Sequence, residues 1–270
     1  MKLKVAVCLY GQFRTGEYCL PWIVEQYKFG DAKYYAHVKT YSTYANTVGS
    51  KPDVKSKDKI EAVLRSHLGN DLSYLAIVDY DEERLVPKKG HWHYAPMFSS
   101  MQQAAYAAFK ANASTNVDWV VLQRLDVLIG PQPDTLSSRL FSQPPDLHTV
   151  YTINANMRFE KEGGQHGIHD VYLAGSLQSM NLLVAETFPA TANPQATDWQ
   201  RFAFEGPNVF LRKAAQTCGL HVRQLPVEMA IVRPTADLAT PAFQSFKHHE
   251  STWHQDHKGM KNGHPNSGRR

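Results

Sequence analysis

"VAVCLYGQFRTGEYC", residues 5–19, begins as a buried strand and then abruptly stops being one. Val5 to Tyr10 are six residues of a core strand. Gly11, Gln12 and Arg14 follow, and the chain recovers into a helical pattern from about Glu17. A strand that breaks on a glycine and runs into a helix is the opening unit of an α/β sheet, whose ligands bind outside the carboxyl ends of the strands. Gly11 allows close approach of backbone, and the Arg14 guanidinium offers planar donors suited to a diphosphate, so Gly11, Gln12 and Arg14 are candidate nucleotide contacts. The segment is neither a dinucleotide fingerprint nor a Walker loop, because "GQFRTG" lacks the G-x-G-x-x-G spacing and no Gly-Lys-Ser/Thr follows.

The alternation continues outward. Leu20, Ile23, Val24 and Tyr27 line one face of a helix over 17–29, and residues 33–41 form a second strand. Ile60, Val63, Leu64 and Leu68 mark a helix over 56–68, followed by a strand at 74–78. An alanine-rich helix at 97–111 leads to "VDWVVLQRLDVLI", 117–129, which reads as the most strongly buried strand. Shorter strands at 148–153 and 171–174 and helices at 177–187 and 207–218 complete the pattern, which predicts a mostly parallel α/β sheet covered on both faces. Residues 1–243 are expected to form a single domain. Residues 244–270, polar and rich in His and Lys, are expected to form a flexible tail.

With 270 residues, 43% of them apolar, the chain can bury a full core. A net charge of +4 suits a phosphate-bearing ligand and falls short of a nucleic-acid-binding signature. Cys8, Cys19 and Cys218 have neither zinc nor CxxC spacing, so reduced thiols and a cytoplasmic setting are expected. No apolar run reaches the length of a transmembrane segment.

Asp126 is the sharpest single residue. A carboxylate inside the apolar run 119–129 must have a partner, because an unpaired buried charge costs several kcal/mol or more. Either it forms a buried salt bridge with Arg124, two residues away, or it binds a metal or a donor sugar at the strand end. His37 and Lys39 fall in the second strand and Asp79 and Asp81 just past the third. His37 reads more readily as a core histidine with a satisfied partner.

"KVAVCLYGQFRT" resembles the opening of glycosyltransferase-like proteins of capsule, lipopolysaccharide and viral glycan gene sets, which have the GT-A type fold. "YYAHVKTY", "MFSSMQQAAYAAFKANASTNVDWVVLQRLDVLI", "GIHDVYLAGSLQSMNLL" and "FEGPNVFLRKAAQTCGLHVRQLPVEMAIVRP" are similar to later segments of that family, in order, over most of residues 2–234. The resemblance implies a GT-A-like fold, a nucleotide-sugar donor, a glycan or other hydroxyl acceptor, and a divalent cation, Mn²⁺ or Mg²⁺. Arg14 and Arg124 would neutralise the leaving diphosphate. Either Asp126 would hold the metal, with a late histidine, His248 or His249, completing the site, or Arg124 would substitute for part of the metal's charge. Asp170, otherwise a loop cap, or Glu205, otherwise a helix-dipole partner, would serve as the catalytic base. This chain departs from the family pattern at three places: Arg124 stands at the first acid of Asp-x-Asp, Lys39 at a tryptophan and Asn208 at a glutamate. The alternatives are a nucleotide- or sugar-binding protein that keeps the fold without turnover, or a nucleotidyltransferase, which would need more acidic ligands than Asp79, Asp81 and Asp126.

Overall fold

The computed structural model describes residues 2–13, 15–40, 56–79, 95–153, 170–192 and 207–232. Within them the apolar runs become strands because both of their faces are covered. In β1 (Lys4–Gln12), every residue from Val5 to Gly11 is buried. Successive side chains point to opposite faces, so Val5, Val7 and Leu9 join one core layer while Ala6, Cys8 and Tyr10 join the other. The first layer is closed by α1 (Gly16–Gln26) and α2 (Lys57–Leu68), through Leu20, Trp22, Ile23, Ile60 and Leu64. The second is closed by α3 (Ala95–Asn112), α5 (Leu177–Ala192) and α6 (Pro207–Thr217), through Met101, Ala104, Met180, Leu183 and Leu211. A short α4 (Thr135–Arg139) adds Leu136 to the first layer.

The main sheet comprises β1, β2 (Asp31–Lys39), β3 (Leu72–Val78), β4 (Trp119–Arg124), β6 (Thr149–Ile153), β7 (Tyr172–Gly175) and β8 (His221–Leu225). Their order is β3-β2-β1-β4-β7-β6-β8. The pairs β1·β2, β1·β4, β2·β3 and β6·β8 are parallel, and β7 runs antiparallel to both β4 and β6. This mixed, mostly parallel sheet flanked by helices is the α/β class expected from the sequence.

One expectation is corrected. The run 117–129 is two strands in two sheets, because β4 ends at Arg124 and β5 (Val127–Ile129) pairs antiparallel with β9 (Met229–Ile231). Apolarity reports that both segments are buried, not that they are collinear. The chain turns at Leu125 and Asp126, where Leu125 N donates to Tyr10 O at 3.4 Å and Val232 N donates to Asp126 O at 2.9 Å. Trp22 Nε1 donates to Ile129 O at 3.2 Å and ties β5 to α1.

Cys8, Cys19 and Cys218 are free thiols, and burial pushes the first two upward in pKa. No described helix is long and apolar enough to cross a membrane. The expected tail, 244–270, lies outside the described residues.

Trp119 anchors the first core layer, with Phe141 edge-on at 5.1 Å and Tyr151 tilted at 5.3 Å. Its indole N–H has no hydrogen-bond partner among the described residues. Trp119→Ala should therefore lower the unfolding free energy in urea by about 3–5 kcal/mol, and Trp119→Phe by much less. Equal losses in the two variants would contradict this packing.

Candidate functional site

The parallel strands β1, β2, β3 and β4 all end at one edge of the sheet. β7 runs the other way and so begins there. That reversal carries Asp170, two residues before β7, to the end of β4, where Arg124 N donates to Val171 O at 3.0 Å. Residues far apart in sequence thus meet at a single edge.

Arg124 is the centre of the group. Its Nε lies 3.0 Å from Asp126 Oδ1 and its Nη2 lies 2.7 Å from Asp126 Oδ2, a bidentate pair made across the turn between β4 and β5. Nη1 faces Asp170 Oδ2 at 3.7 Å. The Arg124 side chain is 15% exposed and that of Asp126 4%. Burial opposes the guanidinium's charge, but Asp126 and Asp170 outweigh it and hold the group firmly protonated. The Tyr10 hydroxyl donates to the Asp170 carbonyl, and burial, followed by the Asp170 charge, raises its pKa.

Beside this group the end of β1 is latched to α3. Gly11 has φ +97°, a conformation that side-chain-bearing residues rarely adopt, although among the described residues a Cβ there would meet only Arg124 Cγ, at 4.0 Å. The backbone angle, not lack of space, calls for glycine. Gly11 N donates to Ser100 Oγ at 3.3 Å, and Ser100 Oγ donates its one proton to the His37 carbonyl at 2.6 Å. The 3.0 Å contact between His37 Nδ1 and Ser100 Oγ must then have Nδ1–H as donor. His37 is therefore the Nδ1–H tautomer, with a lone pair on Nε2. Burial, aided by the Lys39 charge, pushes its pKa down to about 4 and keeps it neutral.

Of the residues expected from sequence, Gly11 and the half-buried Gln12 end β1, Arg124 ends β4, and Asp126 and Asp170 flank that end. Arg14, Glu205, His248 and His249, with Asp81, lie outside the described residues. Asp79 stands apart from the group, accepting from Thr40 Oγ1 at 2.6 Å and paired with Lys57 at 3.0 Å. Tyr10 and Ser100 were not singled out by sequence reasoning, since either reads as an ordinary core residue. Lys39, noted in the second strand and at the place of the family's tryptophan, is almost fully buried. A lysine closing a strand, where ligands of an α/β sheet bind, was the available signal for its place at this edge.

A divalent ion such as Mn²⁺ or Mg²⁺ gathers several oxygen ligands, carboxylates foremost. The described residues do not fit one. Both Asp126 oxygens are engaged by Arg124, Asp170 faces the same guanidinium, and no group of three or more His, Cys, Asp or Glu gathers among the described residues.

Neither a protein-family model nor a curated protein matches the chain. Among solved structures it is similar to the galactosyltransferase LgtC in complex with donor and acceptor sugar analogues, at 12% identity and a TM-score of 0.38, over 92% of this chain and 95% of that one. A glycosyltransferase involved in glycosylation of the major capsid of PBCV-1 is 10% identical, with a TM-score of 0.37 over 83% and 82% of the two chains. The inositol-1-phosphate CTP transferase from T. maritima is 12% identical, with a TM-score of 0.42 over 90% and 95%.

The depressed pKa of His37 sets a pH dependence. A histidine near 6.5 when unfolded and about 4 when folded binds more protons in the unfolded state between those values, so stability falls as pH drops through that window. The loss should approach the order of 3 kcal/mol by pH 4. Urea unfolding across pH 7 to 4 should show that part of the decline disappear in His37→Asn; an unchanged slope would remove His37 as its source.

Proposed function

We propose that the protein is a nucleotide-sugar-dependent glycosyltransferase, moving a sugar from its donor to a hydroxyl of a glycan or other acceptor. The observation that carries this reading is the fixed guanidinium of Arg124, set between Asp126 and Asp170 at the carboxyl edge of the sheet and beside the Gly11 end of β1. Ligands of open α/β sheets bind at that edge. The chemistry is substitution at the anomeric carbon. The bond from that carbon to the diphosphate breaks with its electron pair leaving on the phosphate, and the acceptor oxygen forms the new bond as its proton passes to a base.

The leaving diphosphate needs donors placed before the charge develops. Arg124 has its Nε and one Nη2 hydrogen held by Asp126 and its Nη1 3.7 Å from Asp170, so the hydrogens left on Nη1 and Nη2 would be the donors to a phosphate, and Arg14, from the sequence resemblance, is the second candidate. With Lys39 counted, the formal charges of Arg124, Lys39, Asp126 and Asp170 cancel, so the edge is not barred to an anion. Asp170, close to Arg124 and next to β7, is our candidate for the base that takes the acceptor proton, with Glu205 the other. Gly11 and Gln12 would line the nucleotide.

A panel of nucleotide sugars tests the reading, with thermal shift reporting binding and release of free nucleotide reporting turnover. One donor should raise the melting temperature and be hydrolysed slowly without acceptor, and Asp170→Asn should cut turnover by about 10²-fold or more without abolishing binding. Unchanged turnover in a folded Asp170→Asn variant would take Asp170 out of the base role. Binding without turnover for every donor would favour a binding protein, and no binding at all would overturn the proposal.

A further inference from the structure

Resting on the glycosyl-transfer reading, we infer that Arg124 stands in the place of a divalent metal: it is the fixed cation of the site, it keeps Mn²⁺ and Mg²⁺ off Asp126, and the donor diphosphate binds without a metal ion. Three observations lead there. By the sequence resemblance, Arg124 stands where the family has the first acid of Asp-x-Asp, so a ligand of the expected cation is exchanged for a cation. The exchange is completed in space, because the two oxygens that a metal would take from Asp126 are those held by Nε and Nη2 at 3.0 and 2.7 Å. The second carboxylate of the edge, Asp170, faces the same guanidinium through Nη1.

A metal ion entering this group would have to displace a buried guanidinium from Asp126 and then sit beside it. Arginine cannot relieve that repulsion by losing its proton. Retreat into solvent is also hindered, since the side chain is largely buried. The arrangement keeps what a metal would supply, a positive charge held in place before the leaving group departs, and it supplies it as planar N–H donors matched to phosphate oxygens. The energetic difference is that Asp126 holds this cation through the fold itself, so no ion has to be bound first.

The test begins with Mn²⁺ alone, titrated into the intact chain and followed by the electron paramagnetic resonance of free Mn²⁺. Wild type should show no binding that Asp126→Asn removes; ions taken up by the C-terminal histidines are untouched by that substitution. Arg124→Asp, which sets three carboxylates at the edge, should raise Mn²⁺ affinity at least about tenfold, since affinity follows ligand charge. Arg124→Gln, which leaves Asp126 without its guanidinium, should move in the same direction and serves if the first variant does not fold. Wild-type Mn²⁺ binding that is lost in Asp126→Asn would overturn the inference. So would folded Arg124 variants that gain no affinity. UDP and GDP are then titrated with EDTA and with Mn²⁺: equal affinity supports the inference, and binding only with Mn²⁺ overturns it. If neither nucleotide nor any nucleotide sugar binds, the glycosyl-transfer reading fails, while the Mn²⁺ titration still decides whether Arg124 excludes the ion.

Discussion

The bidentate pair between Arg124 and Asp126 joins the architecture of this protein to its chemistry. It spans the point at which β4 leaves the main sheet and β5 enters the small one, so the same two side chains close the turn and stand at the carboxyl end of the parallel strands. Buried ion pairs are poor sources of net stability, because desolvation offsets most of the Coulomb gain, yet removing one partner leaves an uncompensated charge and is costly. Such a pair is better understood as a device that selects one geometry. Here the selected geometry turns the chain at Leu125 and Asp126, where Tyr10 O and Val232 N take up the backbone groups freed by the break.

The rest of the edge is assembled around that turn. The antiparallel run of β7 makes its beginning coincide with the end of β4, which is how Asp170 reaches Arg124 from 46 positions further along the chain. On the other side, Ser100 of α3 receives the Gly11 amide and the His37 ring and donates to the His37 carbonyl, locking the ends of β1 and β2 to one helix. Tyr10 connects the two halves through its bond to the Asp170 carbonyl. A neutral histidine, a held arginine and two carboxylates thus occupy set positions with their donor and acceptor roles assigned by their neighbours.

Much of this is legible in the sequence. The unbroken apolar run of residues 5–10 marked a central strand because only a strand covered on both faces is apolar at every position. Gly11 was marked by the abrupt end of that run, and Asp126 by being a carboxylate where none should survive unpaired. Both readings of Asp126 were in view from sequence, and the contact with Arg124 is present. The break after Arg124 was not legible, because Leu125, Val127, Leu128 and Ile129 are equally apolar whether they continue one sheet or start another. Nor was the latch at Ser100, since a serine within an alanine-rich helix carries no local sign of its partners. The direction of β7 decides where Asp170 lies, and strand direction is a property of the connections, not of the four residues themselves.

A double-mutant cycle for stability on Arg124→Met and Asp126→Asn, measured by urea unfolding at pH 7, tests the central claim most directly. If the two side chains act as one unit, each single variant is strongly destabilised and the double variant recovers much of the loss, with a coupling energy of about 2–3 kcal/mol. Losses that add to within about 0.5 kcal/mol would show that the two side chains act independently and that the turn between β4 and β5 is held by something else.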